Sequence, residues 1–214
     1  QASSSRSVAK GIGVGGSAGV TSSSSAFIWS GKDGSINGIR WPELAVGDAV
    51  VIGMDFEFSG ASFQNDIVGW WNNPTYGFFG PPGPPGLPPG PQSGHFGVQL
   101  DRVGRSPSGF GILGYWDNAS RTAVEPLIAN INSLDAGAWY RLRAVFTKLS
   151  NLSTRIDTEL WLLDGSGEPV SLAAEGGVED TSLLAANAPG DRYFTNVWPA
   201  FMNEGAPAAC DNAY

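Results

Sequence analysis

The tightest constraint on this chain is an alternation. From Ala49 to Ser59, Val50, Ile52, Met54, Phe56 and Phe58 take every second place, and Val51, Gly53, Asp55 and Glu57 fill the places between. Side chains leave an extended backbone on opposite faces in turn, so a period of two predicts a strand with one buried face. The pattern returns at His95 to Asp101, with Phe96, Val98 and Leu100 inward and His95, Gln99 and Asp101 outward. Phe110 to Trp116 follows after a turn holding Ser106, Pro107 and Gly109. Trp139 to Thr147 buries Tyr140, Leu142, Ala144 and Phe146, and beyond the polar turn Lys148 to Thr154 a partner buries Ile156, Thr158, Leu160 and Leu162. These two read as a hairpin whose outer face sets Arg141 and Arg143 across from Asp157 and Glu159. Asp164-Gly165-Ser166-Gly167 turns the chain again. A short helical turn is expected over Glu179 to Ala186, and a last aromatic strand over Tyr193 to Phe201.

Composition agrees with that pattern. The chain has 214 residues with 30 glycines, 15 prolines and only 15% charged residues, which favours turns and strands over helices. A hydrophobic share of 42% supports a substantial core, and the expected class is all-β, with residues 26–214 forming one sandwich domain. A formal charge of −8 with only three lysines, Lys10, Lys32 and Lys148, excludes a nucleic-acid surface, because that affinity comes from cations displacing counterions. Cys210 is the sole cysteine, so no intrachain disulfide framework exists. A start at Gln1 in the small-residue string QASSS matches the end that signal peptidase leaves, and the expected location is secreted, at the cell surface. No apolar run approaches the ~18 residues that a membrane-crossing helix needs.

Two segments stand apart from this plan. Residues 1–25 form a Gly/Ser-rich leader, yet Val8, Ile12, Val14, Ala18 and Val20 all occupy even positions. So glycine-rich a strand needs an existing edge to pair with, and the expectation is an exchanged strand that docks on a neighbouring subunit through Val8, Ile12 and Val14. The plain alternative is a disordered tether. The second segment is a projecting loop over residues 72–94. Trp70, Trp71, Tyr76, Phe78 and Phe79 lead into a run from Gly80 to Pro91 that contains Pro81, Pro82, Pro84, Pro85, Pro88 and Pro89. Such a run predicts a polyproline II rod, about 35 Å long at roughly 3.1 Å per residue. Three uses remain open: a stiff connection that covers a Trp70 and Trp71 core, a sugar-stacking surface, or a rod that docks on another copy of the chain.

The hairpin "WYRLRAVFTKLSNLSTRIDTELWLLDGSGEPV" resembles the central hairpin of laminin-G-like, concanavalin-A-like jelly rolls. "HFGVQLDRVGRSPSGFGILGYWDN" is similar to the strand pair that precedes it there, and "PAFMNEGAPAACDNAY" resembles the closing strand of secreted bacterial members. The resemblance implies a jelly-roll β-sandwich of two antiparallel sheets, a fold that hosts glycan binders, adhesive modules, glucan hydrolases and lyases. Calcium is implied only as a loop-held ion, with Asp117, Asn118, Asp211 and Asn212 as its nearest oxygens; no other cofactor or metal is expected.

Catalytic patterns are thin. The family's hydrolases carry a strand motif of spaced carboxylates, and here only Asp55-Phe56-Glu57 approaches it, with Ser59 and Gly60 where a third acid belongs. Those two acids read as a solvated strand face. His95, the sole histidine, reads as a solvent-facing strand residue, and a single His with a single Cys rules out an ordinary zinc site. The leading expectation is a secreted, non-catalytic structural or adhesive subunit that assembles with itself. A carbohydrate-binding module with a polysaccharide partner is the alternative, and a polysaccharide-degrading enzyme ranks third.

Overall fold

The computed structural model describes residues 6–10, 13–22, 25–29, 44–58, 60, 64–71, 95–101, 110–117, 123–124, 127–150, 153–180, 198–205 and 208–211. In chain order the strands are β1 (Arg6–Lys10), β2 (Ala18–Ser22), β3 (Ser25–Trp29), β4 (Ala49–Glu57), β5 (Gln64–Trp71), β6 (His95–Asp101) and β7 (Phe110–Asp117). They continue with β8 (Ala123–Val124), β9 (Leu127–Ile131), β10 (Trp139–Lys148), β11 (Thr154–Leu163), β12 (Pro169–Asp180), β13 (Trp198–Gly205) and β14 (Ala208–Asp211). A first sheet has the order β1-β2-β14-β4-β10-β11-β12, and a second has β3-β13-β5-β6-β7-β8 with β9 also on β7. Every pairing is antiparallel. Early and late strands interleave, β14 beside β4 in one sheet and β13 beside β3 in the other. The result is a jelly-roll sandwich.

The alternation seen in the sequence is what closes it. Ile52, Met54 and Phe56 of β4 and Leu142, Ala144 and Phe146 of β10 meet Val98 and Leu100 of β6, Ile112 of β7 and Ile131 of β9 in one apolar cluster. Phe56 and Tyr140 stack with ring centroids 6.0 Å apart. Each large side chain so buried contributes about 1.5–3 kcal/mol relative to exposure. The β10–β11 hairpin forms as expected, with Leu142 opposite Leu160 and Phe146 opposite Ile156. Register shifts between Leu160 and Trp161 and again between Leu162 and Leu163 change the pattern at its end. Leu163 is therefore buried while Leu162 is only partly so. Gly176 of β12 lies under the Ile128 carbonyl of β9, so close that a Cβ there would collide with backbone.

Two expectations change. Glu179 and Asp180, assigned to a helical turn, are strand residues paired with Arg155 and Thr154; the rest of that turn lies outside the described residues. Of the last aromatic strand, Trp198 to Phe201 fall in β13, and residues 193–197 lie outside the described residues. The leader is paired within its own sandwich: β1 pairs with β2, with Val8 opposite Val20, and β2 with β14, with Val20 opposite Cys210. Within the single chain the closing strand supplies an edge of the kind that the glycine-rich row requires. Val14 is buried in a short turn at Val14–Gly16, and Ile12 lies outside the described residues.

Candidate functional site

The carboxylates of Asp55-Phe56-Glu57 do not form a solvent-facing pair. Asp55 is 0% exposed and takes two hydrogen bonds from Arg141, from Nε at 2.7 Å and from Nη2 at 2.8 Å. Arg141 also donates to the Gly167 carbonyl at 3.3 Å. The expected partner Asp157 is instead bound to Arg155 on its own strand at 2.8 Å, while Arg143 does reach Glu159 across the hairpin at 3.1 Å. The N-terminal turn helps to cover this corner: Ser17 Oγ donates to Asp211, the register partner of Asp55, and Val14 rests against Gly167. Asp55 is thus a buried structural ion, unavailable as nucleophile or acid. Lys148, assigned to a polar turn, ends β10 at 3% exposure and donates Nζ to the Leu44 carbonyl at 2.8 Å.

The second sheet tells a different story on the side away from the core. Val98, Leu100 and Ile112 face the core, so the residues between them alternate outward. Register then builds three rows across the strands. One holds Trp198, Trp71, His95 and Asp117 on β13, β5, β6 and β7. The next holds Trp29, Ala200, Gly69, Gly97 and Tyr115 on β3, β13, β5, β6 and β7. The third holds Phe27, Met202, Ile67, Gln99 and Leu113 on the same five strands. In the middle row three adjacent strands carry nothing larger than a methyl group, with an aromatic residue at either end. Glycine inside a strand weakens it and marks places where another molecule approaches the backbone closely. The register sets Ala200, Gly69 and Gly97 side by side on β13, β5 and β6, and Gly97 is buried. Gln99, at 2% exposure, is buried although it alternates away from the core.

Of the residues singled out in the sequence, Trp70 and Trp71 fall on β5 in adjacent rows, Trp71 opposite His95 and Trp198 and Trp70 opposite Phe96 and Pro199. Tyr76, Phe78, Phe79, Pro81, Pro82, Pro84, Pro85, Pro88 and Pro89 lie outside the described residues. Sequence reasoning missed Trp198, Gly69, Gly97, Ala200, Trp29 and Tyr115 as a set. Local signals for single strands were present, but nothing in them says which strands are neighbours. For calcium, Asp117 ends a strand of the second sheet and Asp211 one of the first, and Asn118 and Asn212 lie outside the described residues. Among the described residues no group of three or more His, Cys, Asp or Glu side chains is placed to hold a metal ion.

No family model matches the chain, and no curated protein does. Among solved structures it is similar to the Emp46p carbohydrate recognition domain in its potassium-bound form, at 11% identity and a TM-score of 0.43 over 93% of this chain and 77% of that one. It is also similar to an endo-β-1,4-glucuronan lyase from the fungus Trichoderma reesei, at 11% identity and a TM-score of 0.40 over 99% and 88%. A third is an alginate lyase from Aplysia kurodai, at 7% identity and a TM-score of 0.32 over 98% and 82%.

Proposed function

We propose that the protein is a non-catalytic carbohydrate-binding module whose ligand lies against the second sheet. The observation that carries this reading is the register of the three rows, which sets Trp198, Trp71, His95 and Asp117 in one row beside the row of Ala200, Gly69 and Gly97. Sugar rings present an apolar face edged by hydroxyls, and tryptophan rows beside polar groups suit both parts of such a ligand.

A glycan panel read by calorimetry tests the reading. Trp71→Ala and Trp198→Ala are expected to weaken binding by about tenfold or more each, equivalent to ~1.4 kcal/mol, with far-UV circular dichroism unchanged. Absence of binding to any glycan, or affinity indifferent to both substitutions, would sink it, and turnover of a bound polymer would remove the word non-catalytic.

A further inference from the structure

Among the described strands the first sheet ends in β1 on one side and β12 on the other. The β12 edge is open. Its twelve residues pair with β11 alone among the described strands, and Val170 is 61% and Leu172 39% exposed, with Glu175, Gly177 and Glu179 exposed beyond them. An unpaired strand edge offers a row of N–H and C=O groups to any extended segment that fits it. What fits here is set by charge. Glu175 and Glu179 stand four residues apart with Gly176 and Gly177 between them, on a strand without lysine or arginine. Register places both on the side away from the core, opposite Glu159 and Arg155. Two β12 strands laid antiparallel about Gly177 would set Glu175 against Glu179 twice, and like charges directly opposite each other destabilise a pair of strands. The edge therefore selects a basic segment.

The chain carries such a segment at the other end of the same sheet. β1 reads Arg6-Ser7-Val8-Ala9-Lys10, two cations at the same spacing of four with a valine midway and no acid. Laid antiparallel on residues 175–179, it sets Arg6 opposite Glu179, Val8 opposite Gly177 and Lys10 opposite Glu175. Direction and face agree with that register. All the pairings across the first sheet are antiparallel, so β1 and β12 run the same way within one chain. Positions 6, 8 and 10 fall on the core side, because Val8 is opposite Val20, Val20 opposite Cys210 and Cys210 opposite Phe56. A second copy, turned by half a turn about the axis that crosses the strands, reverses direction and face together. Its β1 then lies antiparallel to β12, with positions 6, 8 and 10 on the face of Glu175 and Glu179. We propose that the protein associates with itself, β1 of one copy adding to the β12 edge of the next. The contact joins two different surfaces, so a pair of copies still has one edge of each kind unused and growth continues in a row. A seam of five residues is short, and it fills only at high protein concentration.

Sedimentation of the whole chain over a concentration series tests this. The expected result is a mass that rises with concentration past two copies. Glu175→Lys with Glu179→Lys in one variant, and Arg6→Glu with Lys10→Glu in another, are each expected to weaken association by about tenfold or more while the melting temperature holds. Mixing the two variants is expected to restore it, because the basic β12 edge of one then meets the acidic β1 edge of the other. A chain that stays monomeric at every concentration, or a mass that stops at two copies, would overturn the proposal. Association that both charge reversals leave untouched would overturn it as well, and so would a mixture of the two folded variants that fails to associate. The carbohydrate reading is independent of this result, since neither variant alters the second sheet.

Discussion

Asp55 shows how far a residue's meaning depends on its neighbours. In the sequence it is one of two acids on an outward strand face; in the fold it is fully buried and held by two bonds from Arg141. Removing one partner of such a pair leaves an uncompensated charge. Asp55→Ala is expected to cost about 3 kcal/mol in urea unfolding, the low end of the range for buried pairs because the Arg141 side chain keeps 24% exposure. A loss under about 0.5 kcal/mol, the size of an ordinary surface change, would mean the pair contributes nothing. Tyr140 makes the corresponding statement about pH. Burial is the largest influence on its phenol and raises its pKa above the ordinary 10.0; the Asp135 N–H that donates to its oxygen at 2.9 Å acts in the opposite direction. The folded state then holds its proton where the unfolded state has released it, so stability falls as pH rises through 10.0 and beyond. Tyr140→Phe is expected to flatten that alkaline decline, measured as the denaturation midpoint from pH 9 upward, and an equally steep decline in the variant would exclude this origin.

Among the elements, the N-terminal hairpin differs most from expectation. Its even-numbered row finds an edge in β14, a strand that pairs with β4 through only Cys210 with Phe56 and Asp211 with Asp55. The flap of β1, β2 and β14 is therefore joined to the main sheet along a short seam, reinforced by the Ser17–Asp211 bond and the seat of Val14 on Gly167. Val14→Asp places a carboxylate at a site only 5% exposed, where burial of an unpaired charge is costly. The expected outcome is a lower melting temperature with unfolding still cooperative, matched by deletion of residues 1–22. Unchanged melting in both would show that the flap carries no stability. At the opposite edge Gly176→Ala is expected to cost about 1–3 kcal/mol, since β12 must shift away from the Ile128 carbonyl. A neutral result there would mean that the two strands have room to part.

For the whole molecule, two surfaces compete as the place of function. The proline rod was expected to reach beyond the fold, and the rows of the second sheet come from five strands. Replacing Gly80 to Pro91 with a short Gly-Ser link is expected to preserve the cooperative melt and the affinity for a glycan. Loss of that affinity in a folded variant would make the loop part of the binding surface. Loss of a larger assembly, seen by light scattering, would return the rod to its first reading as a docking element between copies of the chain.

How much of this could be read from residues alone follows from the range of each force. Alternation is local, so the strands of β4, β6, β10 and β11, their inward faces and the β10–β11 hairpin were legible: burial of one face leaves no other register. The Arg143–Glu159 pair was legible for the same reason, since a hairpin brings its own two sides together. Which distant strands become neighbours was not, because antiparallel edges accept any partner of suitable face. Only the tertiary structure decided that β2 closes on β14, that Arg141 turns to Asp55 on β4, and that Trp198 stands in one row with Trp71 and His95. Two glycines and an alanine, unremarkable in their own strands, come to stand side by side once three strands align them.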